Sequence, residues 1–181
     1  NILVEEGKQE QALEILKTGR EFFDTDVNLI IAELNYYLGQ EDFVKAEELL
    51  TLAVEEDPNN HQLFFALGSS YDNLGNFEKA ENAYKEAVDI KPDFYDALYN
   101  LGVMYYNKGG DMLKKANNIK DFKKYEIEKN KADETMLKGL PYIEKCYAIE
   151  PDDKNILLVL KELYYRNGND EGYKTVSDKL K

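Results

Sequence analysis

The chain has 181 residues, 43% of them hydrophobic, which is too apolar for a disordered segment and enough for one domain or a string of small packed units. Its formal charge of −13, from 36 acidic and 23 basic residues, is opposite in sign to the footprint of a DNA- or RNA-binding protein. A single cysteine, Cys146, excludes an internal disulfide framework, and no stretch approaches the roughly 18 apolar residues of a membrane-spanning helix.

The sequence opens without methionine on "ILVEEGKQEQALEILK", helical in pattern from its start, and so reads as part of something longer. A period then emerges. Ala12, Ala46 and Ala80 are spaced by 34 residues, as are Ala53 and Ala87, and Pro58 and Pro92. Residues 1–26 read as a partial repeat, with Ala12 and Leu16 in phase with the second helix of later units. Residues 27–60 form a repeat that fits best in its second half, and whose turn "GQEDF" is two residues longer than the "GNF" of the next.

Residues 61–94 are the clearest unit. Phe64, Leu67, Gly68, Tyr71 and Leu74 make one amphipathic stripe, Gly75-Asn76 ends it, and Phe77, Ala80, Tyr84, Ala87 and Val88 make a second that Pro92 closes. Gly68 and Ala80 are where the two backbones should approach closely.

Residues 95–153 form a repeat with an insertion: Pro92 and Pro151 lie 59 apart, one period plus 25 residues. That excess equals the length of "GDMLKKANNIKDFKKYEIEKNKADE", residues 110–134, whose 7 lysines and 6 acids interleave as on a solvated helix face. Apolar stripes run through it, from Tyr105 and Tyr106 to Met112, Leu113 and Ala116, and from Phe122, Tyr125, Ala132 and Met136 to Leu140 and Ile143. The expectation is an antiparallel hairpin elongating both helices of the repeat and projecting roughly 15–20 Å. Asn117-Asn118 should end its first arm, Asp121 should cap its second, Gly109-Gly110 could hinge it, and Pro141 should kink the returning helix. Residues 154–181 make a terminal repeat, with Leu157, Leu160 and Tyr164 in phase and Lys161 where a glycine belongs.

No chemistry-bearing constellation emerges. His61, the only histidine, sits at a repeat boundary, and Cys146 falls where neighbouring repeats carry Ala53 and Ala87, the place of a small core residue. The clusters Glu47-Glu48 and Glu55-Glu56-Asp57 lack calcium-loop spacing, and no phosphate loop, zinc set or nucleophile elbow is present. No catalytic, cofactor-binding or metal-binding residue is assigned, and the reading is non-enzymatic.

The 34-residue period, with Leu67, Gly68, Tyr71, Ala80, Tyr84 and Pro92 in one unit and Leu98, Leu101, Gly102, Tyr105, Ile143 and Pro151 in the next, resembles the tetratricopeptide repeat family. Gly139 stands where the family signature has alanine. The resemblance implies an all-α fold: a right-handed α-solenoid of helix-turn-helix repeats, here a single domain over 1–181 carrying one elongated hairpin. It also implies a protein-interaction scaffold whose first helices line a concave groove. Mapped onto this sequence, the groove receives Glu33, Tyr36 and Tyr37; then Gln62, Phe65, Ser69, Asp72 and Asn73; then Asp96, Tyr99, Val103, Tyr106 and Asn107; and finally Asn155, Leu158, Glu162, Tyr165 and Arg166. The lysines with which some members hold a partner's C-terminal carboxylate are missing. Such an aromatic, acidic groove should take a protein segment with apolar and basic residues, with the 110–134 hairpin as a second contact surface. The competing reading is a structural module that self-associates through the hairpin or the solenoid ends. Neither reading involves nucleic acid or a cofactor, and neither fixes a compartment.

Overall fold

The computed structural model describes residues 8–181, and the expected helical character of residues 1–7 lies outside the described residues. All regular structure among the described residues is helical. The chain divides into two compact units, one ending at Pro92 and the other beginning at Asp93.

The first unit contains α1 (Gln9–Phe22), α2 (Val27–Gly39), α3 (Phe43–Glu56), α4 (His61–Asn73) and α5 (Phe77–Ile90), each packed on the next. Its helix starts are set by side chains that recur with the repeat. The Asp26 carboxylate accepts the N–H groups of Asn28 and Leu29, and Asn60, 34 residues on, accepts that of Gln62. Asp42 and Asn76, again 34 apart, accept the N–H groups of Lys45 and Lys79. Each such cap stabilises its helix by about 1 kcal/mol. The turn after α2 is not two residues longer than the next, as the sequence suggested. Three residues join α2 to α3 and three join α4 to α5. Glu41 at φ 56° takes the left-handed position that Gly75 holds 34 residues on at φ 71°, so a non-glycine residue at that position, not added length, is what disguised the repeat. Ile30, Leu34, Leu49, Leu50, Leu63 and Leu67 form the core around Ala46, Ala53 and Ala83. Gly68 lets α4 close onto α5: a Cβ there would stand 2.6 Å from the Tyr84 ring.

The second unit contains α6 (Tyr95–Ala116), α7 (Phe122–Leu137), α8 (Leu140–Ile149), α9 (Lys154–Asn167) and α10 (Asp170–Lys179). Helix α6 packs on both α7 and α8, and α9 packs on α7, α8 and α10. Leu98, Leu101, Ile143, Cys146, Ile156, Leu157, Leu160 and Leu163 are fully buried. The insertion is ordered helix. Asn117 ends its first arm, and the Asp121 carboxylate caps the second by accepting the Lys124 N–H at 3.0 Å.

Four further details depart from the sequence expectations. The returning arm is two helices, because α7 ends at Leu137 and α8 begins at Leu140. Between them Gly139 lies so close to α6 that a Cβ would stand 2.5 Å from the Gly102 carbonyl oxygen, which is why the signature alanine is absent. Pro141 occupies the first turn of α8, where a missing N–H costs no hydrogen bond; it starts a helix and does not kink one. Gly109 is no hinge: it is buried, and a Cβ would meet Met136 Cγ at 2.3 Å and the Ala132 carbonyl at 2.6 Å, whereas Gly110 faces open space. Phe122, expected on the inner stripe, is exposed in the first turn of α7, and Ala132 and Met136 provide the buried face of that helix.

A seam of small residues results. Gly102, Gly109 and Ala116, spaced by seven along α6, are all buried. Gly102 faces Gly139, and Gly109 faces Ala132, themselves seven apart on the returning side. In the terminal repeat the tight approach is reversed. Lys161 sits on α9 in the register of Gly68 and Gly102, and Gly172 on α10 takes up the close contact, where a Cβ would stand 2.7 Å from the Tyr164 ring.

Candidate functional site

The residues that repeat register assigns to a groove lie, in the first unit, on α2 and α4. Tyr36 and Tyr37 are half-buried and meet edge to face at 5.3 Å, with the Lys17 ammonium 5.7 Å from the Tyr37 ring centre. Glu33 is buried and accepts a 2.7 Å hydrogen bond from Arg20 on α1, so this carboxylate is already neutralised inside the protein. Phe65 is half-buried with its ring 5.9 Å from that of Tyr84. The Asn73 side-chain amide donates to the Ser69 carbonyl oxygen at 2.8 Å, and Asp72 and Asn73 are exposed beside it.

In the second unit, Asp96 is exposed at the start of α6, and the half-buried Tyr99 stacks on Tyr95 at 6.2 Å. Tyr95 ties successive repeats together: its hydroxyl donates to the Asp153 carboxylate at 3.0 Å, and that carboxylate also accepts the Asn155 and Ile156 N–H groups that begin α9. Burial first, and then the Asp153 charge, push the Tyr95 hydroxyl well above the ordinary tyrosine range. On α9, Leu158 and Tyr165 are exposed on one face, with Glu162 between them.

Further along α6, Tyr106 and Asn107 enter a cleft of 530 Å³, together with Gly110, Asp111, Leu113, Lys114 and Asn117 of the same helix, Met136 of α7 and Arg166 of α9. Arg166 organises the recess. Its guanidinium donates to Asp133 on α7 and pairs with Glu162 at 2.6 Å, while Lys129 reaches Asp133 at 3.0 Å. The structure thus brings Tyr106, Asn107, Glu162 and Arg166 together, and adds Asp111, Lys114, Met136 and Asp133, which repeat register could not reveal because the family pattern has no counterpart for inserted residues. Two of the expected groove acids are spoken for, Glu33 by Arg20 and Glu162 by Arg166. Among the described residues no cation pairs with Asp72 or Asp96.

Residues with catalytic potential are placed structurally. Cys146 is fully buried, its Sγ 3.9 Å from the Tyr95 carbonyl oxygen, and burial pushes the thiol up to about 12, far from a reactive thiolate. His61 is half-buried at the first residue of α4. Among the described residues no cluster of histidine, cysteine or carboxylate side chains is placed to hold a metal ion, and no helix is long and apolar enough to cross a membrane.

Two family models match: TPR repeat over residues 68–109 and tetratricopeptide repeat over residues 49–82. Over residues 49–109 the repeats are tetratricopeptide repeats. Solved structures extend the likeness along the chain. A crystal structure of MamA is 19% identical and covers 98% of this chain and 90% of its own, with a TM-score of 0.70. MamA from Desulfovibrio magneticus RS-1 is 17% identical over 98% of this chain and 85% of its own, at a TM-score of 0.65. YrrB, described as a TPR protein with an unusual peptide-binding site, is 18% identical over 99% of this chain and 80% of its own, at a TM-score of 0.70. Identities this low establish the fold, an all-α succession of helix-turn-helix repeats. A search of curated protein sequences finds no match.

Proposed function

We propose that this protein is a non-enzymatic interaction scaffold that binds a segment of a partner protein on the outward faces of its first helices. One observation carries the reading: Tyr106 and Asn107, in groove positions of a tetratricopeptide repeat, open into a cleft of 530 Å³ that the inserted hairpin completes. A simple repeat has no such wall. Tyr106 and Met136 supply apolar contact for an anchor side chain, and Asn107, Asn117 and Lys114 supply polar groups around it. Asp96, on the same helix, is an open carboxylate that favours lysine or arginine on the bound segment. Binding by YrrB of a peptide, as its description states, is the parallel that supports this use of the fold. The hairpin then acts as part of the recognition surface.

The test is selection of binders from a random peptide library displayed on phage, followed by calorimetry on the full chain. Selected peptides should carry an aromatic or aliphatic anchor with nearby basic residues. Tyr106→Ala combined with Asn107→Ala should weaken them about tenfold or more, as the loss of a binding hot spot does. Peptides whose affinity ignores that double change, or a library that yields none, would overturn the reading.

A further inference from the structure

The hairpin tip is chemically unlike the rest of the chain. Residues 114–124 carry five lysines against one aspartate, in a protein of net charge −13. The aspartate, Asp121, is occupied in capping α7. Lys114 is paired with Asp111 at 2.9 Å, but among the described residues no carboxylate pairs with Lys115, Lys120, Lys123 or Lys124, all of them exposed. Lys123 and Lys124 lie in the first turn of α7, where the helix dipole disfavours cations, so local electrostatics does not select them. Between them and Lys120 stands Phe122, 73% exposed.

A surface of complementary chemistry exists on α3. Its outward stripe runs Val44, Glu48, Leu52 and Glu55, with Val44 and Leu52 exposed by 54% and 41%. The same register positions are Glu78 and Glu86 on α5 and Glu10 and Thr18 on α1. Of these three helices α3 alone places apolar side chains there, and it keeps carboxylates beside them: Glu48, which pairs with Lys45 at 2.7 Å and would exchange that partner, and Glu55 and Glu56, both exposed. No fold requirement explains the exchange, since the positions face solvent in each helix.

We propose that the hairpin tip of one copy docks on the outward face of α3 in a second copy, Phe122 covering Val44 and Leu52 while Lys120, Lys123 and Lys124 meet Glu48, Glu55 and Glu56. The two halves are different surfaces, so the contact is heterologous. It leaves a free tip on one copy and a free α3 face on the other, to which further copies can add. A tip and a single helix face cover far less than the roughly 1,200 Å² of a stable interface, so association is weak and rises with concentration. This inference uses surfaces outside the cleft and does not rest on peptide binding there.

Sedimentation velocity on the full chain tests it. At low salt the weight-average mass should climb past that of a dimer as concentration rises, and at about 0.5 M salt it should return to monomer because screening shortens to a few ångströms. Lys123→Glu with Lys124→Glu should weaken association about tenfold or more, as should Glu48→Lys with Glu55→Lys, and Phe122→Ser should act likewise. An equimolar mixture of the two charge-reversed proteins should associate again, which damage to either fold could not produce. A monomer under all conditions, or a mixture that stays monomeric, would sink the proposal. So would association unaffected by the variants, or tip lysines needed only for binding phosphatidylserine vesicles.

Discussion

Replacing Gly139 by alanine restores the family signature. The structure nevertheless predicts a loss. Gly139 has φ −75° and ψ −22°, which alanine adopts freely, so the backbone raises no objection. Space does: the new Cβ would stand 2.5 Å from the Gly102 carbonyl oxygen, 3.2 Å from that of Met136 and 3.2 Å from Tyr105 Cβ. Two of these neighbours are backbone atoms that no side-chain rotation can move. Overpacking of this kind costs about 1–3 kcal/mol, and the reduced freedom of the unfolded chain returns about 0.4–1. The net loss of about 1.5 kcal/mol should lower the melting temperature of the second unit by about 6–12 °C. Circular dichroism at 222 nm would follow it, with Gly110→Ala as the control. Nothing lies within 4 Å of a Cβ at Gly110, so that change should stabilise by about 0.5–1 kcal/mol. A Gly139→Ala protein that melts at or above the parent temperature would refute the close approach of α6 and the α7–α8 junction.

Two other expectations concern titratable groups. Burial works to raise the Asp153 carboxyl, but the Asn155 N–H, the Tyr95 hydroxyl and the Ile156 N–H outweigh it and leave it below the ordinary value of 3.8. A depressed carboxyl contributes stability above its unfolded pKa and loses it as pH falls through the folded one. Asp153→Asn keeps a capping oxygen but removes the charge, so it should show a smaller loss of stability between neutral pH and strong acid, read from urea midpoints; parallel pH profiles for parent and variant would contradict the assignment. Cys146, with its thiol pushed up to about 12 and no exposure, should resist iodoacetamide at mildly alkaline pH until urea unfolds the second unit, and ready labelling of the native protein would contradict that burial.

What the sequence conveyed was whatever recurs. Alanines at 12, 46 and 80 and prolines at 58 and 92 announce the period because each repeat must solve the same packing problem, and the buried side chains Leu67, Ala80, Tyr84 and Ala87 fall on the stripes read from it. The helical hairpin was legible as well, through its apolar spacing and its Asn117 and Asp121 boundaries. Less visible was what depends on partners distant in sequence. Glu33 reads as an open groove acid until Arg20, 13 residues earlier, is found against it, and Glu162 until Arg166 bridges it to Asp133. Gly109 reads as a weak point in a helix because propensity counts only the local cost. Its value lies in letting α7 come close, which only the packed structure displays.

That seam also limits how such an insertion can change length. With Gly102, Gly109 and Ala116 every seventh residue along α6, and Gly139 and Ala132 at the same interval opposite, each small residue is brought round to the facing helix after two turns. One extra residue in either arm rotates everything beyond it by about 100° and sets a full side chain against a backbone carbonyl. Growth or trimming of the hairpin is therefore tolerated in paired steps of about seven residues per arm, so that insert lengths among related chains should cluster at intervals of about fourteen.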